Sequence, residues 1–403
     1  MTAIYLVFTI LSLFTCMLPA GVLSVIWEPL SDNLTVGVPY IAILRVLITA
    51  GVIAAVVLSD RIRAYAMIRD IVIGAAALET LALLGFSMSR VFWNLCVWSF
   101  CLGFGLGMGV SLLVRMVRWA GRQYSQLIFA GGSAGIAAGV WILSRVLARG
   151  VGWRTSCQIL AVAQVLLCLV QFSLRRRGRR DSGELLRKME RERNRVRSGR
   201  RQEKIRSDGE VDERFAPFYF HRIVFCYLAC VLCGILILGM MLWPDTYLIA
   251  AGKSALSSVS SVILTAGGLT AGRLLAHLIR VPDKMKRLLP GMLTVLACGI
   301  AAALAQARVS AVQLQILQFA VGAAAGPVFP GLILTEDERL DEEAQDSLLG
   351  LMTAFYFGGW ALITPLTQAL VGSSQENMFA LWLLAAAAVM TVCLALAGKR
   401  VKR

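Results

Sequence analysis

Twelve apolar runs, each close to the roughly twenty residues that a helix needs to cross a bilayer, leave this chain few folds to choose from. They lie near 4–27, 38–58, 67–87, 91–114, 127–147 and 155–174, then near 223–243, 256–276, 288–307, 314–335, 348–370 and 378–397. Between the two sets of six, residues 175–218 are polar and open with Arg175, Arg176, Arg177, Arg179 and Arg180. With 58% hydrophobic and 16% charged residues among 403, there is too little polar surface to coat a water-soluble globule of this size. Backbone groups in hydrocarbon must bond within their own segment, so runs of this length are helices. The expectation is an all-α membrane protein with twelve transmembrane helices in two six-helix bundles. Residues 1–174 form the first bundle, 175–218 a basic cytoplasmic linker and 219–403 the second bundle. The first run is longer than a signal-peptide core and lacks a basic leader, so it counts as a membrane helix.

Loop charge sets the orientation. With the amino terminus inside, the inner loops hold Arg61, Arg63 and Arg69, then Arg115, Arg118 and Arg122, then the linker, then Arg280, Lys284, Lys286 and Arg287, and finally 399–403. The outer loops hold only Arg90, Arg149, Arg154, Lys253 and Arg308. A multi-pass protein of the cell membrane with both termini cytoplasmic follows. One inner loop is acidic, with Glu336, Asp337, Glu338, Asp341, Glu342, Glu343 and Asp346, but acidic residues weigh little in topology. The net charge of +16 lies mostly in the linker and short loops, which argues against a nucleic-acid face. Cys226, Cys230 and Cys233 share a helix face but have no adjacent His, Asp or Glu, so they read as packing residues and no metal site is expected. No phosphate-cradling loop stands between a strand and a helix, so no cofactor is expected. The chain has two histidines, His221 and His277, both near inner helix ends, too little positioned acid–base chemistry for an enzyme.

Charges recur at equivalent places in the two halves. Asp60, Arg61 and Arg63 follow the second run, and Gly272, Arg273, Arg280, Asp283 and Lys284 follow the eighth. Glycines crowd the fourth run (Gly103, Gly105, Gly107, Gly109) and the fifth (Gly131, Gly132, Gly135, Gly139), at spacings that let helices approach closely. In the tenth, Gly322, Gly326, Pro327, Phe329, Pro330 and Gly331 form a break where proline removes backbone hydrogen bonds.

On these motifs the chain resembles the major facilitator superfamily, over nearly its whole length. The resemblance implies that Asp60, Arg61, Arg63, Gly272 and Arg273 belong to an inner gate, and that Gly107, Gly132, Gly135, Gly139, Gly326, Pro327 and Pro330 serve helix packing and bending. The order of 152–154, 243–248, 270–273 and 326–330 is similar to the fucose-permease-like branch of sugar facilitators. That branch commonly places a carboxylate in the fourth helix and a polar sugar contact in the fifth. Here Val110 and Ile128 stand at those positions, which leaves sugar uptake and export of an amphipathic compound both open.

The ionisable residues left in the membrane are the functional candidates. Glu79 lies about 16 Å into the third run at 1.5 Å per residue, where a charge costs about 2.5–3.5 kcal/mol, and it is the candidate proton-coupling site. Glu28 and Arg45 lie on the outer side as a candidate vestibule pair, with Asp245 at the outer mouth. Trp243, Tyr356 and Trp360 are candidates for lining a solute cavity. Gln164, Gln171, Gln315 and Gln318 are weaker candidates, because membrane amides often only join helices. The function expected is secondary active transport of a small organic solute by alternating access, proton-coupled, by a monomer in the lipid bilayer. Efflux of amphipathic compounds and a transport-dead sensor are the alternatives.

Overall fold

The computed structural model describes residues 3–35, 39–63, 67–120, 122–174, 216–250, 258–279, 285–306, 310–333, 342–370 and 376–397. Helix α1 (Ala3–Met17) passes through a 3-10 turn (Leu18–Gly21) into α2 (Val22–Leu34). There follow α3 (Pro39–Arg63), α4 (Ile68–Met88), α5 (Phe92–Ala120), α6 (Ser125–Leu147) and α7 (Trp153–Leu174). The second half comprises α8 (Ala216–Ala250), α9 (Ser258–Leu278), α10 (Met285–Gln306), α11 (Ala311–Ala325), α12 (Val328–Ile333), α13 (Glu342–Leu370) and α14 (Glu376–Ala397). Counting α1 with α2 and α11 with α12, these make twelve crossings in two six-helix bundles. Among the described residues, ten stretches are long and apolar enough to span, and α10 and α13 add the shorter apolar segments Leu288–Leu304 and Leu348–Ile363.

Helix α7 shows most directly that the solvent is lipid. It exposes Val162, Val165, Leu166 and Leu169 while burying Gln164 and Gln171 completely, the reverse of an amphipathic helix in water.

Glycine decides which helices touch. On α5, Gly103 and Gly107 face α3: a Cβ on Gly103 would strike the Ile48 carbonyl, and one on Gly107 would lie 2.6 Å from Val52 Cα. Gly105 and Gly109, half a turn away, face α4 and α1 instead. On α6, Gly131, Gly132 and Gly135 receive Ile10, Leu13 and Phe14 of α1, and Gly139 receives Leu18 of the 3-10 turn. The second half repeats the device. Gly268, Gly272, Gly322 and Gly326 join α9 to α11, and Gly234 and Gly359 join α8 to α13. The Gly103→Leu variant is therefore expected to separate α3 from α5 and destabilise the protein by about 1–3 kcal/mol, measured as a lowered melting temperature in detergent.

Four boundaries differ from the sequence expectation. The first helix does not end at Glu28; it bends at Pro19 and continues through Pro29 to Leu34. Helix α5 does not stop before Arg115, because nothing from 112 to 120 interrupts it and the first glycine is Gly121. Helix α8 runs past Trp243 and Pro244 to Ala250. Glu342, Glu343 and Asp346 of the acidic segment lie in α13 rather than in a loop. The expected break in the tenth crossing is present, as the turn between α11 and α12. The linker through 215 and the acidic residues 336–338 and 341 lie outside the described residues.

Candidate functional site

The two bundles meet mainly along α6 with α9 and along α3 and α5 with α13. The side-chain bonds between them cluster at one end of the molecule, where α1 begins, called here the proximal end.

Arg273 is the centre of this closure. Gly272, packed on the Ala323 carbonyl, lays α9 against α11. Arg273, 6% exposed, then turns its guanidinium inward. Its Nε donates to the Gly326 carbonyl (3.0 Å) and its Nη1 donates to the Phe129 carbonyl of α6 (2.8 Å). The first acceptor follows from the sequence. In a continuous helix the Gly326 carbonyl would accept from residue 330, but that residue is Pro330 and has no N–H. Arg273 supplies the missing donor and, with the same planar group, ties the break to the opposite bundle.

Other contacts extend the closure along both helices. Thr270 donates to Ser133 (2.8 Å), Gln126 Nε2 donates to the Pro327 carbonyl (3.2 Å), and His277 Nδ1 lies 2.9 Å from the Gln123 carbonyl. Apolar mass fills the space between: Phe129 meets Phe329 edge-on at 5.6 Å, Phe329 lies 4.5 Å from Tyr356, and Arg273 sits 5.8 Å over Phe129. Aromatic contacts of this kind add about 0.5–1.5 kcal/mol each beyond their buried area.

On the other flank the buried cation is Arg115 of α5, only 1% exposed. Its Nη2 donates to Ser59 of α3 (3.4 Å) and would lie 3.1 Å from a Cβ on Gly350 of α13. Thus Gly272 and Arg273 stand where the two bundles are bonded together, while the Arg61 side chain is exposed at the end of α3. The Asp60 and Arg63 side chains lie outside the described residues. Arg115, expected in an inner loop because it ends an apolar run, lies inside α5. The usable signal was Leu112, Leu113 and Val114 before it with Met116 and Val117 after it.

Glu79 occupies a different place. It is completely buried on α4, inside the first bundle, and Gln164 Nε2 of α7 donates to its Oε2 at 2.6 Å. Gly105 makes the room, since a Cβ there would stand 2.7 Å from Glu79 Cγ. One turn along α5, Gly109 faces Cys16 Sγ of α1 and the Ala75 methyl of α4. Cys16 and Cys168 are within electrostatic reach of the Glu79 carboxyl.

The remaining candidates are scattered. Arg45 is half-buried in α3, and its carbonyl accepts from Thr49 (3.0 Å). The side chains of Glu28, Trp243 and Asp245 lie outside the described residues. Tyr356, 7% exposed, belongs to the aromatic closure, and Trp360 packs 5.1 Å from Phe357 beside it. Gly132 and Gly135 pack on α1, Gly139 on the 3-10 turn after it, Gly107 on α3, and Gly326, Pro327 and Pro330 form the break.

A sequence model described as the Major Facilitator Superfamily matches residues 3–365. No curated protein matches the chain. Among solved structures, the proton:xylose symporter XylE bound to 6-bromo-6-deoxy-D-glucose has a TM-score of 0.75 at 13% identity, covering 96% of this chain and 94% of that one. At that identity the likeness is one of fold.

Proposed function

Because the chain belongs to the major facilitator superfamily, we propose that it is a proton-coupled secondary transporter that carries a small organic solute through the membrane by rocking its two bundles. Residues 175–218 are the tether between bundles 1–174 and 219–403. Both termini face the cytoplasm of a cell-membrane protein, so the proximal end is the cytoplasmic one. The observation that carries this reading is the Arg273 clamp: two hydrogen bonds from one guanidinium, one to each bundle, breakable when the bundles tilt. The present conformation is then the one closed to the cytoplasm. Glu79 is the proton site, since an intramembrane carboxylate is costly unless it is neutralised.

Uptake of a sugar-like solute is the first reading, supported by the fold likeness to a proton:xylose symporter. Buried Val110 and Ile128 favour a second, export of an amphipathic compound. Proteoliposomes decide between them, with a panel of monosaccharides, polyols and amphipathic cations and a proton gradient imposed in either direction. Symport predicts polar-solute uptake driven from the acidic side; antiport predicts amphipath movement toward it. In either case Glu79→Gln should remove the response to the gradient, and transport equal in rate with and without a gradient for wild type would refute the coupling.

A further inference from the structure

Besides Ser99 Oγ and Gln126 Oε1, five buried polar atoms inside the first bundle have no hydrogen-bond partner among the described residues: Tyr5 Oη, Ser12 Oγ, Gln171 Oε1, Gln164 Oε1 and Glu79 Oε1. They belong to one seam. On α1, positions 5, 8, 12 and 16 recur at helical spacing and share a face. That face looks toward α4 and α5: Arg69 sits 5.2 Å over the Tyr5 ring and 5.8 Å over Phe8, and Cys16 faces Gly109 and Ala75. The other face of α1 is the one packed on the α6 glycines. Helix α7 closes the seam with Gln164, Cys168 and Gln171, again at helical spacing, and Gln171 Nε2 donates to Thr15 Oγ1 at 2.7 Å. From Cys16 to Tyr5 is about 16 Å along α1, the same distance that separates Glu79 from Ile68 along α4. The seam thus runs from the Glu79 carboxyl to the proximal end, with Arg69 at its mouth.

Native interiors pair nearly all their buried polar atoms, and each one left unpaired costs about 1–3 kcal/mol. A file of such atoms along one seam is what a line of water molecules satisfies. We propose that this seam is a hydrated proton path joining Glu79 to the aqueous phase at the proximal end, separate from the route of the solute. The proposal rests on Glu79 being the proton site. The carboxyl O–H breaks, the proton passes to seam water and leaves past Ser12 and Tyr5, and the carboxylate keeps the negative charge beside the Gln164 amide; reloading is the reverse. The ionisable groups facing this route are Tyr5 and Cys16 from α1, Cys168 from α7, and Arg69 and Asp70 at the mouth from α4; α5 presents Gly105 and Gly109. Proton exchange on the proximal side then needs no opening of the Arg273 closure.

The test is a pH-jump on the purified full chain in lipid nanodiscs, following the carboxylic C=O infrared band that Glu79→Gln removes. Filling the seam with Ser12→Leu should slow the band's response by at least about tenfold, equivalent to about 1.4 kcal/mol of added barrier. A triple variant, Tyr5→Phe with Ser12→Ala and Gln171→Leu, strips the polar atoms while removing one heavy atom at each position, should slow it similarly, and decides the matter if Ser12→Leu does not fold. A response as fast as wild type in the folded triple variant overturns the path. A band that does not titrate in wild type, or that survives Glu79→Gln, overturns the assignment of Glu79 instead.

Discussion

Arg273→Ala should unlatch the proximal end and expose Cys233 beneath it. Cys233 is completely buried on α8 and lies within electrostatic reach of Arg273 and beside the Phe329 backbone, so it is a native reporter of the closure. The substitution removes the one charge-assisted hydrogen bond that Arg273 makes across the bundles, contributing about 1.5–3 kcal/mol, and within the second bundle leaves the Gly326 carbonyl without the donor that Pro330 lacks. Moving a two-state equilibrium from 1:99 to 99:1 takes about 5.5 kcal/mol, so a loss of this size is enough to reverse a modest preference for the closed state. Alkylation by a water-soluble maleimide, located by mass spectrometry, should be negligible at Cys233 in wild type and extensive in Arg273→Ala. Arg273→Lys should fall between, because one ammonium cannot span two carbonyls as a planar fork does. If Cys233 stays protected in folded Arg273→Ala, the closure is held by its aromatic contacts and the arginine is incidental.

The clamp also marks how far sequence alone reaches here. The break at Gly326 to Pro330 and the six-and-six division could be read directly, because each depends on local chemistry: a missing N–H and run length; Gly272 and Arg273 stand out through the family resemblance, and their gate role is a proposal. The acceptor in the opposite bundle could not be read. It is a backbone carbonyl like that of any other residue, and only packing selects Phe129, 144 residues away. Arg115 was hidden for a related reason. In lipid the outward face of a helix is apolar, so an inward charge interrupts the apolar run and looks like its end. The continuation of α2 past Glu28 and of α8 past Pro244 was obscured because proline ends helices in water more reliably than in a membrane, where neighbouring groups satisfy the freed carbonyls. Glu79 stood out as a buried acid, but Gln164 as its partner did not, since the two are 85 residues apart and an amide in the membrane is ambiguous.

That pair supports a second prediction, which separates the structural worth of Glu79 from its proposed role in transport. Gln164→Leu removes the hydrogen bond but leaves the acid buried, so it should destabilise the protein by about 1–3 kcal/mol or more. Glu79→Leu leaves the amide unpaired in turn and should be destabilising by a similar mechanism. The double variant leaves no polar group unpaired at this contact and fills it with apolar volume, so it should recover most of the loss, with a coupling energy of about 0.5–3 kcal/mol between the sites. Melting temperatures in one detergent, measured for all four proteins, close this cycle. Recovery of stability in the double variant should not be accompanied by recovery of proton-driven transport, because no group that holds a proton remains. A double variant both stable and still driven by the gradient would move the coupling site elsewhere in the chain. One that is no more stable than the worse single variant would mean that the carboxyl and the amide stabilise the bundle through neighbours other than each other, with Cys16 and Cys168 the nearest candidates.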